Sequence, residues 1–153
     1  MLYIASHVGD EGKTPAEMRA NPDLARYVEG WGRAHDTGFV AVDESCQQPV
    51  GAVWMRLFAA DDRGYGYVAE ATPELAIAVL PAHHGHGIGT GLLSALSDAT
   101  RSLNVAVLLS VRATNPAVRL YRRLGFEAID GTETRNRTGG SSFTMKLALR
   151  RGG

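Results

Sequence analysis

Three glycines, Gly85, Gly87 and Gly89, alternate with other residues where one periodicity stops and another starts. Before them, residues 74–80 alternate. Leu75, Ile77 and Val79 share one face, and Glu74, Ala76 and Ala78 share the other, a strand pattern ended by Pro81. After them, Ile88, Leu92, Leu96, Ala99 and Leu103 form a stripe at helical spacing. A strand that passes through glycines into a helix leaves the helix's first N–H groups open. Those groups have no partner inside the helix and carry a partial positive charge. Residues without side chains let a bulky anion come close to them. The segment therefore suits a phosphate or pyrophosphate, or else it is a plain glycine-rich turn. Glycine is in excess overall, at 18 of 153 residues, or about 12%, against a usual ~7%.

Around this junction the chain reads as one domain over residues 1–153, without repeats or linkers. Leu2 to Ala5 suggest a short strand. Asn21-Pro22-Asp23 is a helix start, followed by Leu24, Tyr27, Val28 and Trp31 on one apolar face. Residues 39–42 and 50–58 are expected to form an antiparallel hairpin around a turn at 43–49 that holds Cys46. Residues 59–72 read as a loop carrying Asp61, Asp62 and Glu70. The apolar run 105–111 suits a central strand buried on both faces. Asn115-Pro116 opens a helix with Ala117, Leu120, Tyr121 and Leu124 on its inner face and Arg119, Arg122 and Arg123 on its outer face. Gly125 ends it, a strand follows at 126–129, then a polar loop at 131–140. A last strand alternates Phe143, Met145, Leu147 and Leu149. If that strand is an exposed edge, it offers a way to form a homodimer. The order implies an α/β (α+β) chain: a mixed sheet with helices on its faces.

Charge removes several function classes. Lys+Arg and Asp+Glu are 16 each, so the formal net charge is zero, and neither nucleic acid nor a membrane surface is expected as partner. No apolar stretch reaches the ~18–20 residues of a membrane span. The start of the chain has no basic stretch before its first acids, so no signal peptide is expected. A single cysteine excludes an intrachain disulfide and a Cys-based zinc site and suits the cytoplasm. His83, His84 and His86 are close in sequence, but the loop's N–H groups already serve an anion, and no metal is expected.

The two common nucleotide fingerprints fail at named positions. Gly-x-Gly-x-x-Gly would require glycine where Thr90 or Leu92 stands, and the strand after the helix has no acid. The phosphate-loop pattern requires a lysine, and none occurs between Lys13 and Lys146.

The run from Ile77 to Leu93 instead resembles the cofactor motif of the GNAT superfamily of N-acetyltransferases, Arg/Gln-x-x-Gly-x-Gly/Ala after a strand and Pro. Here it is His84-Gly85-His86-Gly87-Ile88-Gly89. A second block, Asn115-Pro116-Ala117 through Leu120-Tyr121 to Gly125-Phe126, is similar to that family's later motif, in the same order and spacing. The resemblance covers roughly residues 37–149, with the cofactor-binding core at about 74–130. It implies a mixed, mostly antiparallel sheet with a splayed parallel strand pair. It also implies transfer of an acetyl group from acetyl-CoA to a primary amine, on a small molecule or on a peptide or protein, by direct attack. Val79 and Leu80 would pair with the pantetheine arm, and the Val79 N–H would face the thioester oxygen. The N–H groups from His84 through Gly85, His86, Gly87, Ile88, Gly89 and Thr90 would hold the pyrophosphate. Asn115 would touch the pantetheine or cap its helix, and Tyr121 would protonate the departing thiolate.

An alkyl amine is mostly protonated near neutral pH and must lose a proton before attack. Glu74 is the first candidate base, Glu70 the second, and a water route the third. His84, where the family has Arg or Gln, points to weaker or more pH-dependent cofactor binding. Two other readings remain: a coenzyme-A-binding domain without transferase activity, and a domain holding a different phosphate ligand.

Overall fold

The computed structural model describes residues 27, 31–32, 36–57, 72–101, 106–135 and 139–149. The chain divides into two compact units, Met1–Arg56 with Ala76–Ala99, and Leu57–Leu75 with Thr100–Gly153.

In the first unit, β1 (Thr37–Asp43) pairs antiparallel with β2 (Gln48–Arg56), in a register from Thr37 opposite Met55 to Asp43 opposite Gln48. The register shifts between Ala41 and Val42. The turn is built by Asp43. Its Oδ1 accepts the Ser45 N–H at 2.9 Å and the Ser45 hydroxyl at 2.6 Å, and its carbonyl accepts the Gln47 N–H at 2.7 Å. These side-chain bonds hold the Asp43 carboxyl below its usual value. β2 is buried from Val50 to Arg56, so it is central. Beside it runs β3 (Glu74–Val79), after which the Leu80 N–H donates to the Val50 carbonyl at 2.9 Å.

Helix α1 (Ile88–Thr100) lies close against β2. A Cβ on Gly51 would meet the Ala78 carbonyl at 3.1 Å, Leu92 Cδ1 at 3.2 Å and Ile88 Cγ2 at 3.3 Å, which is why β2 has glycine there. The buried face of α1 is Leu92, Leu93, Leu96 and Thr100. Ala99, expected in that stripe, is exposed. The drift of a 3.6-residue helix places Thr100 inward in its stead. Leu103 lies outside the described residues.

In the second unit, the start of β3 runs parallel to β4 (Ala106–Arg112), with Glu74 opposite Leu108 and the Leu108 N–H donating to the Pro73 carbonyl at 2.9 Å. β4 is buried on both faces, as its apolar run implies. After helix α2 (Val118–Arg123) come β5 (Glu127–Ala128), β6 (Thr134–Arg135) and β7 (Ser141–Ala148). β7 pairs antiparallel with β4 along its length and with both β5 and β6. The final strand is therefore no exposed edge, and the expected route to a homodimer through it is removed. β6 lies inside the stretch read as polar loop. Thr132 clips it back, donating its hydroxyl to the Ile129 carbonyl at 2.6 Å and accepting the Thr144 N–H at 3.0 Å.

Among the described residues the seven strands are mixed: mostly antiparallel, with β3–β4 as the parallel pair. The N-terminal strand, most of the first helix (save Tyr27 and Trp31) and the loop with Asp61, Asp62 and Glu70 lie outside the described residues.

Candidate functional site

Pro81–His83 form one tight helical turn after β3, with the His83 N–H donating to the Leu80 carbonyl at 2.9 Å. The chain then reaches α1 through Gly85 at φ +79° and Gly87 at φ +78°, where side chains are strained. A Cβ on either glycine would meet nothing within 4 Å, so the space over the loop is open to a ligand. The first helical bond runs from the Gly91 N–H to the Gly87 carbonyl at 3.0 Å. The N–H groups of Ile88, Gly89 and Thr90 thus have no partner within the helix and stand at its positive end. This arrangement can hold a phosphate or pyrophosphate without a lysine.

Two expected donors are used elsewhere. The Leu80 N–H goes to Val50, and the His84 N–H goes to the Pro81 carbonyl at 3.3 Å, because the turn closes on itself there. The His84 ring turns back instead, with Nε2 at 2.8 Å from the Val79 carbonyl oxygen. His83 is half-buried and His86 exposed. Among the described residues no three His, Cys, Asp or Glu side chains come together as a metal cage.

The second unit carries the other motif. Asn115 Oδ1 accepts the Ala117 N–H at 2.9 Å, closing a side-chain turn just before α2; the N-cap of that helix is Ala117, and it has no side-chain cap bond. Tyr121 faces inward from α2, 7% exposed, with its ring tilted on Phe126 at 5.8 Å between centroids. Burial pushes its hydroxyl up to about 12. Val118 is its buried neighbour, while Ala117, Leu120 and Leu124 are half-buried and Arg119, Arg122 and Arg123 face solvent. Gly125 at φ +104° ends the helix, so that the Phe126 N–H returns to the Tyr121 carbonyl at 2.9 Å. Glu74 is 2% exposed and has partners within the fold; it is not a solvated strand-end acid.

A feature the sequence reading missed lies in the first unit. Arg56, at the end of β2, makes a two-pronged ion pair with Asp36, with Nε 3.0 Å from Oδ1 and a terminal nitrogen 2.8 Å from Oδ2. The Gly32 N–H donates to the same carboxylate at 3.0 Å, and the guanidinium lies 5.5 Å from the Trp31 ring centre. The Trp54 indole N–H donates to the Tyr27 carbonyl at 3.2 Å. No local sequence signal marks it: Asp36 meets Arg56 because the β1–β2 register sets Thr37 opposite Met55.

No curated protein matches the chain. Among solved structures, a GCN5-related N-acetyltransferase from Kribbella flavida aligns at TM-score 0.68 and 21% identity, over 97% of this chain and 90% of that one. The ribosomal-protein-S18-alanine N-acetyltransferase from Escherichia coli aligns at TM-score 0.64 and 20% identity, over 99% and 90%. The yncA protein from Salmonella typhimurium, solved with its cofactor acetyl-CoA, aligns at TM-score 0.60 and 23% identity, over 78% and 68%. At these identities the likeness is one of fold. The family model described as an acetyltransferase (GNAT) domain matches residues 34–128, more than half of the chain and both motifs. The chain belongs to the GNAT acetyltransferase family.

Proposed function

We propose that this protein is a one-domain, cytoplasmic N-acetyltransferase that moves the acetyl group of acetyl-CoA to a primary amine by direct attack. The observation that carries the reading is the glycine loop. It holds two left-handed glycines under open space and leads into the N-terminal N–H groups of a 13-residue helix. Gly85 to Thr90 would hold the pyrophosphate of the cosubstrate, which supplies an activated acyl group as a thioester. Val79 and Asn115 remain the candidates for contact with the pantetheine.

The chain's own residues then handle protons. Glu74 takes one proton from the substrate ammonium, directly or through water. The freed nitrogen lone pair forms a C–N bond with the acyl carbon, and the carbonyl oxygen charge is met by the Val79 N–H. Collapse breaks the C–S bond, and the sulfur leaves with the phenolic proton of Tyr121. The second proton on nitrogen passes through solvent and restores the phenol. The products are an amide and a free thiol. The acceptor is an amine on a small molecule or on a peptide; the Escherichia coli structure is of an enzyme that acts on a protein alanine, which supports testing peptides first.

The test is a thiol-release assay with acetyl-CoA and a panel of peptides, amino acids and polyamines, with the acetylated product counted by mass spectrometry. One free thiol per amide is expected with at least one amine. Glu74→Gln is expected to lower turnover by about 10²-fold at unchanged coenzyme A affinity; unchanged turnover removes Glu74 as base. Tight coenzyme A binding without turnover for any amine makes the chain a binding domain. Binding of ATP or NAD in its place overturns the reading.

A further inference from the structure

The anion site uses backbone groups of the glycine loop and leaves the His84 side chain unexplained. Its Nε2 is 2.8 Å from the Val79 carbonyl oxygen. A carbonyl only accepts, so that ring nitrogen carries the hydrogen and donates. Strand alternation tells which edge of β3 is engaged. The Leu80 N–H bonds the Val50 carbonyl, and the Ala78 carbonyl lies over Gly51, so the peptide groups of Ala78 and Leu80 face β2. The N–H and C=O of Val79 therefore leave from the opposite edge. His84 reaches round the turn to that edge.

The place matters because of what comes next. Gly85 follows His84 directly, and Gly85 and Gly87 both sit at positive φ with open space around them. Glycines give the chain the most conformations to lose when a ligand orders it. The preceding turn is closed by backbone bonds from His83 to Leu80 and from His84 to Pro81, the latter long at 3.3 Å. A side-chain bond from the first loop residue to the strand end restrains the glycines from one side, and α1 restrains them from the other.

We infer that His84 is a positioning residue: its Nε2–H, given to the Val79 carbonyl, locks the start of the glycine loop to the outer edge of β3 before acetyl-CoA arrives. This rests on the acetyl-CoA reading above. The lock lowers the ordering cost of binding, because a side-chain bond already holds the start of the glycine loop before the ligand arrives.

The experiment uses the full chain and three variants. His84→Ala and His84→Leu remove the donor. His84→Gln keeps an N–H donor at similar reach. Coenzyme A affinity is measured by calorimetry, steady-state kinetics separate KM from kcat, and amide hydrogen exchange of residues 85–90 is followed without ligand. Loss of one neutral hydrogen bond predicts a Kd and a KM for acetyl-CoA raised about 3- to 10-fold in the Ala and Leu variants. Their kcat should stay within about twofold, their loop exchange should be faster, and Gln should restore all three. Wild-type affinity in His84→Ala overturns the proposal. So does tighter binding, which would make the ring a competitor of the ligand, and so does a Gln variant as weak as Ala. If the wild type binds neither coenzyme A nor acetyl-CoA, the acetyl-CoA reading fails instead, and the exchange arm still decides whether His84 holds the loop.

Discussion

Tyr121 is placed by α2 with its ring against Phe126 and away from water, and burial alone raises its hydroxyl from an ordinary value near 10 to about 12. A phenol in that state keeps its proton through the physiological range, as the role proposed for it requires. Tyr121→Phe keeps the ring packing and removes only the proton. Turnover is expected to fall about 10²-fold, with the KM for acetyl-CoA nearly unchanged. Steady-state kinetics check this, and wild-type turnover would return Tyr121 to the core. Linkage gives a second readout. Below pH 10 both folded and unfolded states hold the proton, so pH has no effect through this group. Between 10 and 12 the unfolded state loses it first, and stability falls as pH rises. Unfolding titrations across that window should show a shallower fall for Tyr121→Phe than for the wild type.

At the scale of elements, the β1–β2 hairpin is tied to the segment before it by the Arg56–Asp36 pair, whose side chains are 1% and 2% exposed. Both charges are removed from water, so each depends on its partners there. Arg56→Met is expected to lower the unfolding free energy by about 3–5 kcal/mol in denaturant titrations, because the Asp36 carboxylate stays buried without the guanidinium. Asp36→Leu combined with Arg56→Met should recover much of that loss. If the double variant is as unstable as the single ones added together, the pair is not coupled as the geometry requires. The exposed apolar residues of β1 sit on the same hairpin. Val40 is 61% exposed, yet the strand holds its register through β2. Its stability therefore comes from the buried partner strand rather than from its own side chains.

At the scale of the whole molecule, a ligand that binds only the folded chain raises its stability by mass action. Acetyl-CoA at about 100 times its dissociation constant adds ~2.7 kcal/mol. For a chain of this length that is a rise of about 5–10 °C in the unfolding midpoint. A thermal scan with acetyl-CoA, coenzyme A, NAD and ATP should show the rise for the two coenzyme A species; a rise with NAD or ATP alone contradicts the cosubstrate. Local signals carried much of the architecture. The alternation of residues 74–80, the glycines at 85–89, the apolar run up to Val111 and the Asn-Pro pair shortly before α2 are short-range patterns, and backbone sterics turn them into elements wherever they lie. They were enough to name the strand–loop–helix that suits an anion and to resemble a family. What the sequence could not tell depended on partners distant along the chain. That β7 is flanked on both edges, that Thr100 replaces Ala99 on the buried face of α1, that Glu74 is buried, and that Asp36 meets Arg56 all follow from packing and register. So does the use of the Leu80 N–H by Val50 and of the His84 ring by Val79, because a hydrogen bond is assigned only when donor and acceptor are brought into reach. Periodicity determines which residues can form an element, and tertiary contact decides which of their polar groups remain for a ligand.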